Sequence, residues 1–263
     1  MQLQRHLTEF EDASVAVYAV SYDAPEVLAA FAEEFGITYP LLSDTDSSVI
    51  RRFGILNTLV RPDEAVYGIP YPGSYLTDEA GVVTEKSFYR QYRIRPATRS
   101  LLKDGFGVPL TPESGPVAES SAPGVRLTAA LGEEALVFQQ DVPLYVTLDL
   151  DPGLHIYAPG AGGGMIGATI DVSAPDSIEI GVPIFPASHP LRLEGSDEVL
   201  PVLDGTIEVV VPLISTRADV EPIALEIHLR YQACDDRLCF LPQEQTLTLQ
   251  VPLQGLNRSR PRP

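Results

Sequence analysis

The sequence predicts a two-domain chain, α/β at first and all-β afterwards. Three observations carry that reading. Short apolar runs alternate with helix-like segments over the first hundred residues. A stretch rich in Pro, Gly, Ser and Glu then spans 105–124 without periodicity, with Pro109, Pro112, Pro116 and Pro123 in it. From Val125 onward strand-like runs follow one another, broken by prolines and glycines, and helical patterning is absent. A length of 263 residues agrees with two domains as a soft prior. The expected boundaries are 1–104, a semi-stiff linker at 105–124, a β-domain at 125–255, and a frayed tail at 256–263.

In the first part, Val15-Ala16-Val17-Tyr18-Ala19-Val20-Ser21 is an apolar run of the buried parallel-strand kind. Asp23-Ala24-Pro25-Glu26 directly after it reads as a helix start, and the helix should run over 25–35 and stop at Gly36. Tyr39-Pro40-Leu41-Leu42-Ser43-Asp44 then makes a short strand before a second helix at 46–53. After an irregular stretch, 69–78 leads into a hairpin through Asp78-Glu79-Ala80-Gly81. A helix over 95–103 closes the segment. In the second part the predicted strands are 125–131, 143–150, 166–172, 207–213, 223–231 and 246–253, at spacings that suit a β-sandwich.

Cys234 and Cys239 are the only cysteines. Strand-like runs at 224–231 and 245–252 flank them, so the two sulfurs are placed to face each other across the neck of a hairpin. A disulfide fits there if the Cα atoms come within about 4.4–6.8 Å. Spacing alone leaves open a redox pair, a structural disulfide, and two unrelated buried thiols. So short a loop removes only about 2 kcal/mol of unfolded-state entropy, and a chain of this length does not need such a staple, which makes reversible redox chemistry the better explanation. Asp235 and Asp236 disfavour a thiolate and Arg237 favours it, so neither thiol is marked as acidic. The pair is expected to act as a shuttle answering a stronger nucleophile on a partner.

The residues around the cysteines carry a resemblance. Tyr231-Gln232-Ala233-Cys234, a short acidic loop, Cys239-Phe240-Leu241-Pro242 and Glu244 resemble the active-site hairpin of the amino-terminal periplasmic domain of DsbD-type thiol:disulfide interchange proteins. The loop between the cysteines is one residue shorter than in the best-known members. Upstream, Asp151-Pro152-Gly153-Leu154-His155-Ile156-Tyr157 looks like the family's turn and aromatic strand. The resemblance covers about 124–253. It implies an immunoglobulin-like β-sandwich whose cysteine pair accepts electrons from a membrane-embedded reductant and passes them to periplasmic proteins. It also implies that side chains at His155 and Tyr157 lie beside the cysteines. Two apart on a strand, these share a face and are placed to shield or polarise a sulfur, or else are an ordinary core aromatic and a satisfied histidine. Tyr231 joins them as a supporting residue. His189, in Pro186-Ala187-Ser188-His189-Pro190, falls where such domains carry a loop capping the cysteines, with Phe185, Leu191 and Leu193 as candidate cap side chains.

A second resemblance covers the first part. The helix-like Leu3-Gln4-Arg5-His6-Leu7-Thr8-Glu9-Phe10, the run Ala19-Val20-Ser21-Tyr22-Asp23, the segment 39–44, and Tyr71-Pro72-Gly73-Ser74-Tyr75 before Asp78 resemble the peroxiredoxin group of the thioredoxin fold. This is the alkyl hydroperoxide reductase and thiol-specific antioxidant (redoxin) family. It implies a cis peptide bond before Pro72, at the position that sits against the family's catalytic cysteine. That peroxidatic cysteine precedes the helix with which this sequence opens and has no counterpart here. The first strands of the fold are missing as well, so an apolar sheet edge should be left unpaired. Either the true start lies upstream of Met1 or the domain has decayed, and the coherent strand and helix patterning favours the first.

Composition bounds the rest. A formal net charge of −18 and a pI near 4.5 argue against nucleic acid and anionic membrane surfaces, which need clustered cations. No run approaches the roughly 18 apolar residues of a membrane span. Met1-Gln2-Leu3-Gln4-Arg5-His6 leads into an amphipathic helix and not a signal peptide, while the resemblance of 124–253 to a periplasmic DsbD-type domain implies an extracytoplasmic location. The glycine-rich Ala158-to-Met165 segment follows no Rossmann-type strand and opens no helix, so it reads as a flexible loop. The four histidines have no metal-ligand spacing, and Asp44 with Asp46 reads as a helix cap. No cofactor or metal is expected.

The sequence therefore reads as a thiol–disulfide oxidoreductase working through Cys234 and Cys239. Its expected partner is a thioredoxin-like protein or a membrane thiol–disulfide reductase, with a link to peroxide defence through the first segment. The alternative is a non-catalytic binding or scaffold protein with a structural disulfide and a degenerate redoxin domain.

Overall fold

The computed structural model describes residues 2–89, 91, 93–110, 115–162, 164–192, 199–218, 220–235 and 237–255. The chain divides into two compact units, 1–109 and 110–263.

The first unit is thioredoxin-like. Helices Gln2–Arg5 and Leu7–Asp12 lead to strand Ala19–Ser21, helix Pro25–Phe35 and strand Leu41–Ser43, which pairs in parallel with the first strand in the register Ala19↔Leu41. The helix between them has Pro25 at its start, where the missing N–H costs nothing, and ends on Gly36 at φ 62°, a left-handed value that suits a residue without a Cβ. Asp44 starts the next helix, Ser48–Arg52, by accepting the amides of Val49 and Ile50 at 3.1 and 2.8 Å, while Asp46 accepts that of Ser48 at 3.0 Å. The hairpin Gly73–Thr77 and Val83–Phe88 turns at Gly81, φ 78°, and helix Thr98–Phe106 follows three residues later than patterning indicated. Phe10, Leu28, Ile50, Leu76 and Leu102 are buried. Among the described residues the parallel pair and the hairpin remain separate two-stranded sheets, and Tyr18, Val20 and Leu42 stand exposed.

The peptide bond before Pro72 is trans, which corrects the expectation of a cis bond. Its neighbours explain this: Pro70 bridges Leu56 and the Tyr71 amide bonds to Ile55 O at 2.6 Å, so the backbone runs extended straight into Gly73–Thr77. Nothing there overrides the 0.5–1 kcal/mol or so by which X-Pro bonds prefer trans.

The second unit is an immunoglobulin-like β-sandwich. One antiparallel sheet runs Ile178–Ile180, Thr206–Ser215, Gln140–Leu150, Val125–Leu131, Val117–Ala122. Another runs Thr169–Ser173, Ile223–Tyr231, Gln243–Val251. Strict alternation puts Leu225, Ile227, Leu229, Leu247 and Leu249 inward and Glu226, His228, Thr246 and Thr248 outward, the pattern of half-buried strands. The β-domain opens earlier than composition indicated. Val117–Ala122 lies inside the expected linker yet pairs residue for residue with Val125–Leu131 around Gly124, φ 78°. A third sheet, His189–Arg192, Val199–Asp204, His155–Tyr157, Ala233–Cys234, carries the cysteines. The expected tail at 256–263 lies outside the described residues.

Candidate functional site: a disulfide hairpin on one sheet face

Cys234 and Cys239 are joined by a disulfide, with Cα atoms 4.0 Å apart. The separation falls just under the expected window because of how the hairpin is bonded. Phe240 N donates to Ala233 O and Asp235 N to Leu238 O, both at 2.9 Å, so the cysteines occupy the non-hydrogen-bonded pair between them, where opposed strands approach most closely. The turn is held by Asp235, whose carboxylate accepts the amides of Arg237 and Leu238, each at 2.7 Å. Those two backbone donors, aided by the nearby charges of Arg237 and His155, keep the Asp235 carboxyl below the usual aspartate range. The carboxylate is thus committed to the turn. Gln232 ties the hairpin down by donating to Phe240 O at 3.0 Å.

Register decides what surrounds the sulfurs. His155 pairs with Cys234 on one side and Asp204 on the other, Tyr157 pairs with Val202, and Leu191 pairs with Leu200. Directly opposed residues share a face and alternate residues return to it. One face therefore carries His155, Tyr157, Leu191, Leu200, Val202 and Cys234. Tyr157, Leu200, Val202 and Cys234 form a buried cluster, and Ala161, Met165, Leu191 and Cys239 pack against it half-buried. The two sulfurs differ: Cys234 is 1% exposed, whereas Cys239 is partly open. The tip beyond them is apolar and exposed, with Leu238 at 61%, Phe240 at 40% and Leu241 at 84%.

Tyr157 bridges the pair. Its hydroxyl lies 3.8 Å from Cys234 Sγ and 3.7 Å from Cys239 Sγ. Burial pushes its phenol above the usual tyrosine value, so it is a neutral O–H donor at physiological pH. The His155 ring meets the Tyr157 ring edge-on, centroids 5.8 Å apart at 87°. Beside them a cleft of about 370 Å³ is lined by Asp151, Leu154, His155, His189, Leu191 and Asp204 among others.

Cys234, Cys239, His155 and Tyr157 come together. Tyr231 turns instead into the sandwich, wholly buried, where its hydroxyl donates to Gln243 Oε1 at 2.8 Å and accepts from Gln245 Nε2 at 3.0 Å. It anchors the strand that delivers the hairpin. Pro72 belongs to the first unit. Leu191 packs on the cluster, but Phe185 follows Ile184, which bridges Val210 in another sheet, and Leu193 lies outside the described residues. His189 sits in a strand and meets Asp204 at 3.3 Å. Leu200, Val202, Ala161 and Met165 were missed by sequence reasoning. Among the described residues no group of His, Cys, Asp or Glu suits a metal ion. No helix there is long and apolar enough to cross a membrane.

Residues 128–251 match the family described as thiol:disulfide interchange protein DsbD, N-terminal. The cysteine hairpin lies inside this DsbD-like stretch. Residues 1–86 match the AhpC/TSA family, and that stretch contains no cysteine. Alkyl hydroperoxide reductase E of Mycobacterium tuberculosis (strain H37Rv) is 33% identical over 84 residues, 31% of this chain and 50% of that protein. Peroxiredoxin Bcp of Escherichia coli (strain K12) is 33% identical over 85 residues, 31% and 51% of the respective chains. The chain spans about half the length of the curated relatives it matches. Among solved structures, the N-terminal periplasmic domain of ScsB from Proteus mirabilis aligns at 17% identity over 53% of each chain, with a TM-score of 0.38. The DsbD N-terminal domain of Neisseria meningitidis in its reduced form aligns at 19% identity over 54% of this chain and 90% of that one, with a TM-score of 0.32.

Proposed function

We propose that this chain exchanges two electrons with a partner dithiol through the Cys234–Cys239 disulfide. The observation that carries the reading is the asymmetry of the bond: one sulfur is buried beneath Tyr157 and the other reachable at a tip of exposed Leu238, Phe240 and Leu241. An exposed apolar rim around a reactive group is what a docking protein covers. A partner thiolate attacks Cys239 Sγ, the S–S bond breaks, and its electron pair leaves on Cys234 Sγ. The partner's second thiol then displaces Cys239 from the mixed disulfide. Two electrons and two protons have moved, the partner is oxidised, and the Cys234–Cys239 pair is a dithiol.

The partner class that fits is a thioredoxin-like protein or a membrane thiol–disulfide reductase, in an extracytoplasmic compartment where a DsbD-type domain works. The AhpC/TSA-like segment supports a link to peroxide defence. Peroxide reduction there requires a thiol supplied from outside residues 1–86, which contain none.

The test is a thiol count after mixing the oxidised chain with a reduced thioredoxin-like protein, followed by alkylation. The reading expects two new thiols per chain, at Cys234 and Cys239. The double variant Cys234→Ser, Cys239→Ser should fold, because closing so short a loop contributes only about 2 kcal/mol, and should accept no electrons. A double variant that fails to fold, or a bond the partner leaves intact, supports a structural disulfide in a binding module.

A further inference from the structure

The next step rests on the exchange reading above. When Cys239 is attacked, the charge lands on Cys234, a sulfur 1% exposed and walled by Tyr157, Leu200 and Val202. A bare thiolate there is costly without a compensating charge or proton. Tyr157 offers a hydrogen bond but keeps its proton, since burial raises its phenol.

His155 is the residue directly opposite Cys234 in the antiparallel pairing. Such neighbours point to the same face with Cβ atoms about 4.5–5.5 Å apart. The Nε2 edge of the ring is shut off from solvent, and the ring is stacked edge-on against Tyr157. Its other cross-strand neighbour is Asp204, whose carboxylate meets His189 of the next strand out. Asp235 of the hairpin interacts with it electrostatically, Arg237 stands on the same turn, and Asp151 lies in the turn that opens its own strand and lines the shared cleft. Among the described residues, the carboxylate of Asp235 favours imidazolium at His155, while burial of the Nε2 edge opposes it.

We propose that His155 is the general acid of the exchange, protonating Cys234 as it leaves. The S–S electron pair goes to Cys234 Sγ, the imidazolium proton follows it, and His155 is left neutral. In the reverse direction neutral His155 takes the proton from the Cys234 thiol as that sulfur attacks, and becomes imidazolium again. Electrons and protons balance without any further reactant.

The test follows reduction of the full chain by dithiothreitol from pH 5 to 8, with each rate divided by the dithiothreitol thiolate concentration. The corrected rate should fall through this range as His155 loses its proton. His155→Gln should flatten the profile and lower the rate at the acid end by roughly tenfold or more. His228→Gln, on the outward face of another sheet, should keep the inflection. A profile unchanged in His155→Gln, or flat in the parent chain, overturns the proposal while leaving the exchange reading in place. A disulfide that dithiothreitol does not reduce at any pH overturns both. Should His155→Gln fail to fold, NMR titration of the imidazoles in the parent chain decides. The His155 midpoint should move between the disulfide and dithiol forms while that of His228 stays put, and equal His155 midpoints overturn the proposal.

Discussion

The hydroxyl of Tyr157 stands 3.7 Å from the sulfur of Cys239 and 3.8 Å from that of Cys234, so one neutral donor spans both ends of the disulfide. The strand that carries it is held on both sides, by Val199–Asp204 and by Ala233–Cys234. The donor is therefore in place before any partner arrives, and it strengthens when either sulfur becomes a thiolate.

Tyr157→Phe keeps the buried ring and removes only the hydroxyl. A hydrogen bond to a charged group contributes about 1.5–3 kcal/mol, and the long contacts here argue for the lower end. Reduction by dithiothreitol should slow about tenfold with the melting temperature nearly unchanged. An unaltered rate would show that the hydroxyl is only a packing group.

Asp235 sets an acid limit on the hairpin. Its carboxylate is favoured in the folded turn by the amides of Arg237 and Leu238, so the folded value lies below the unfolded one. The resulting support is fully present above the ordinary aspartate value of about 3.9 and is lost as pH falls through the lowered folded value. The protection of the Leu238 amide, its exchange rate compared with the intrinsic rate at each pH, should fall on acidification through that window. Asp235→Asn retains an acceptor and should remove the pH dependence, whereas Asp235→Ala should speed exchange at neutral pH. Protection of Leu238 that is equal in all three proteins would rule out this role.

Much of the site was legible because its parts are close in sequence. Cys234 and Cys239 face each other across a local hairpin, and the alternation over Ile223–Tyr231 and Gln243–Val251 fixes the strands that deliver it. The helix Pro25–Phe35 was marked at both ends by Pro25 and Gly36. What was missed depends on pairing between distant segments. Leu200 and Val202 share a face, but Leu203 is buried on the other and Pro201 interrupts, so no alternation stands out in Val199–Asp204. Val117–Ala122 is an edge strand whose Glu119, Ser120 and Ser121 give no apolar signal, so composition places it in the linker. Resemblance to a complete fold implies a cis bond at Pro72, whereas the hydrogen bond of Tyr71 to Ile55 holds an ordinary trans path.

The exposed tip should govern partner choice without affecting stability. Leu241 is 84% exposed, so Leu241→Asp should change stability by no more than about 0.5 kcal/mol. Its rate with dithiothreitol, which needs no docking surface, should match the parent. Exchange with a thioredoxin-like protein should fall about tenfold, through loss of apolar contact and added negative charge on a chain already at −18. Equal losses with both reductants would place Leu241 in the chemistry and not in docking.

The most direct test of a working redox pair is its reduction potential, read by equilibrating the chain in glutathione or dithiothreitol buffers and quantifying Cys234 and Cys239 as thiol or disulfide. An exchange centre must reach both states, so the midpoint should lie well above the roughly −300 mV below which structural disulfides usually sit. A midpoint far below that value would make the bond a staple and contradict the account.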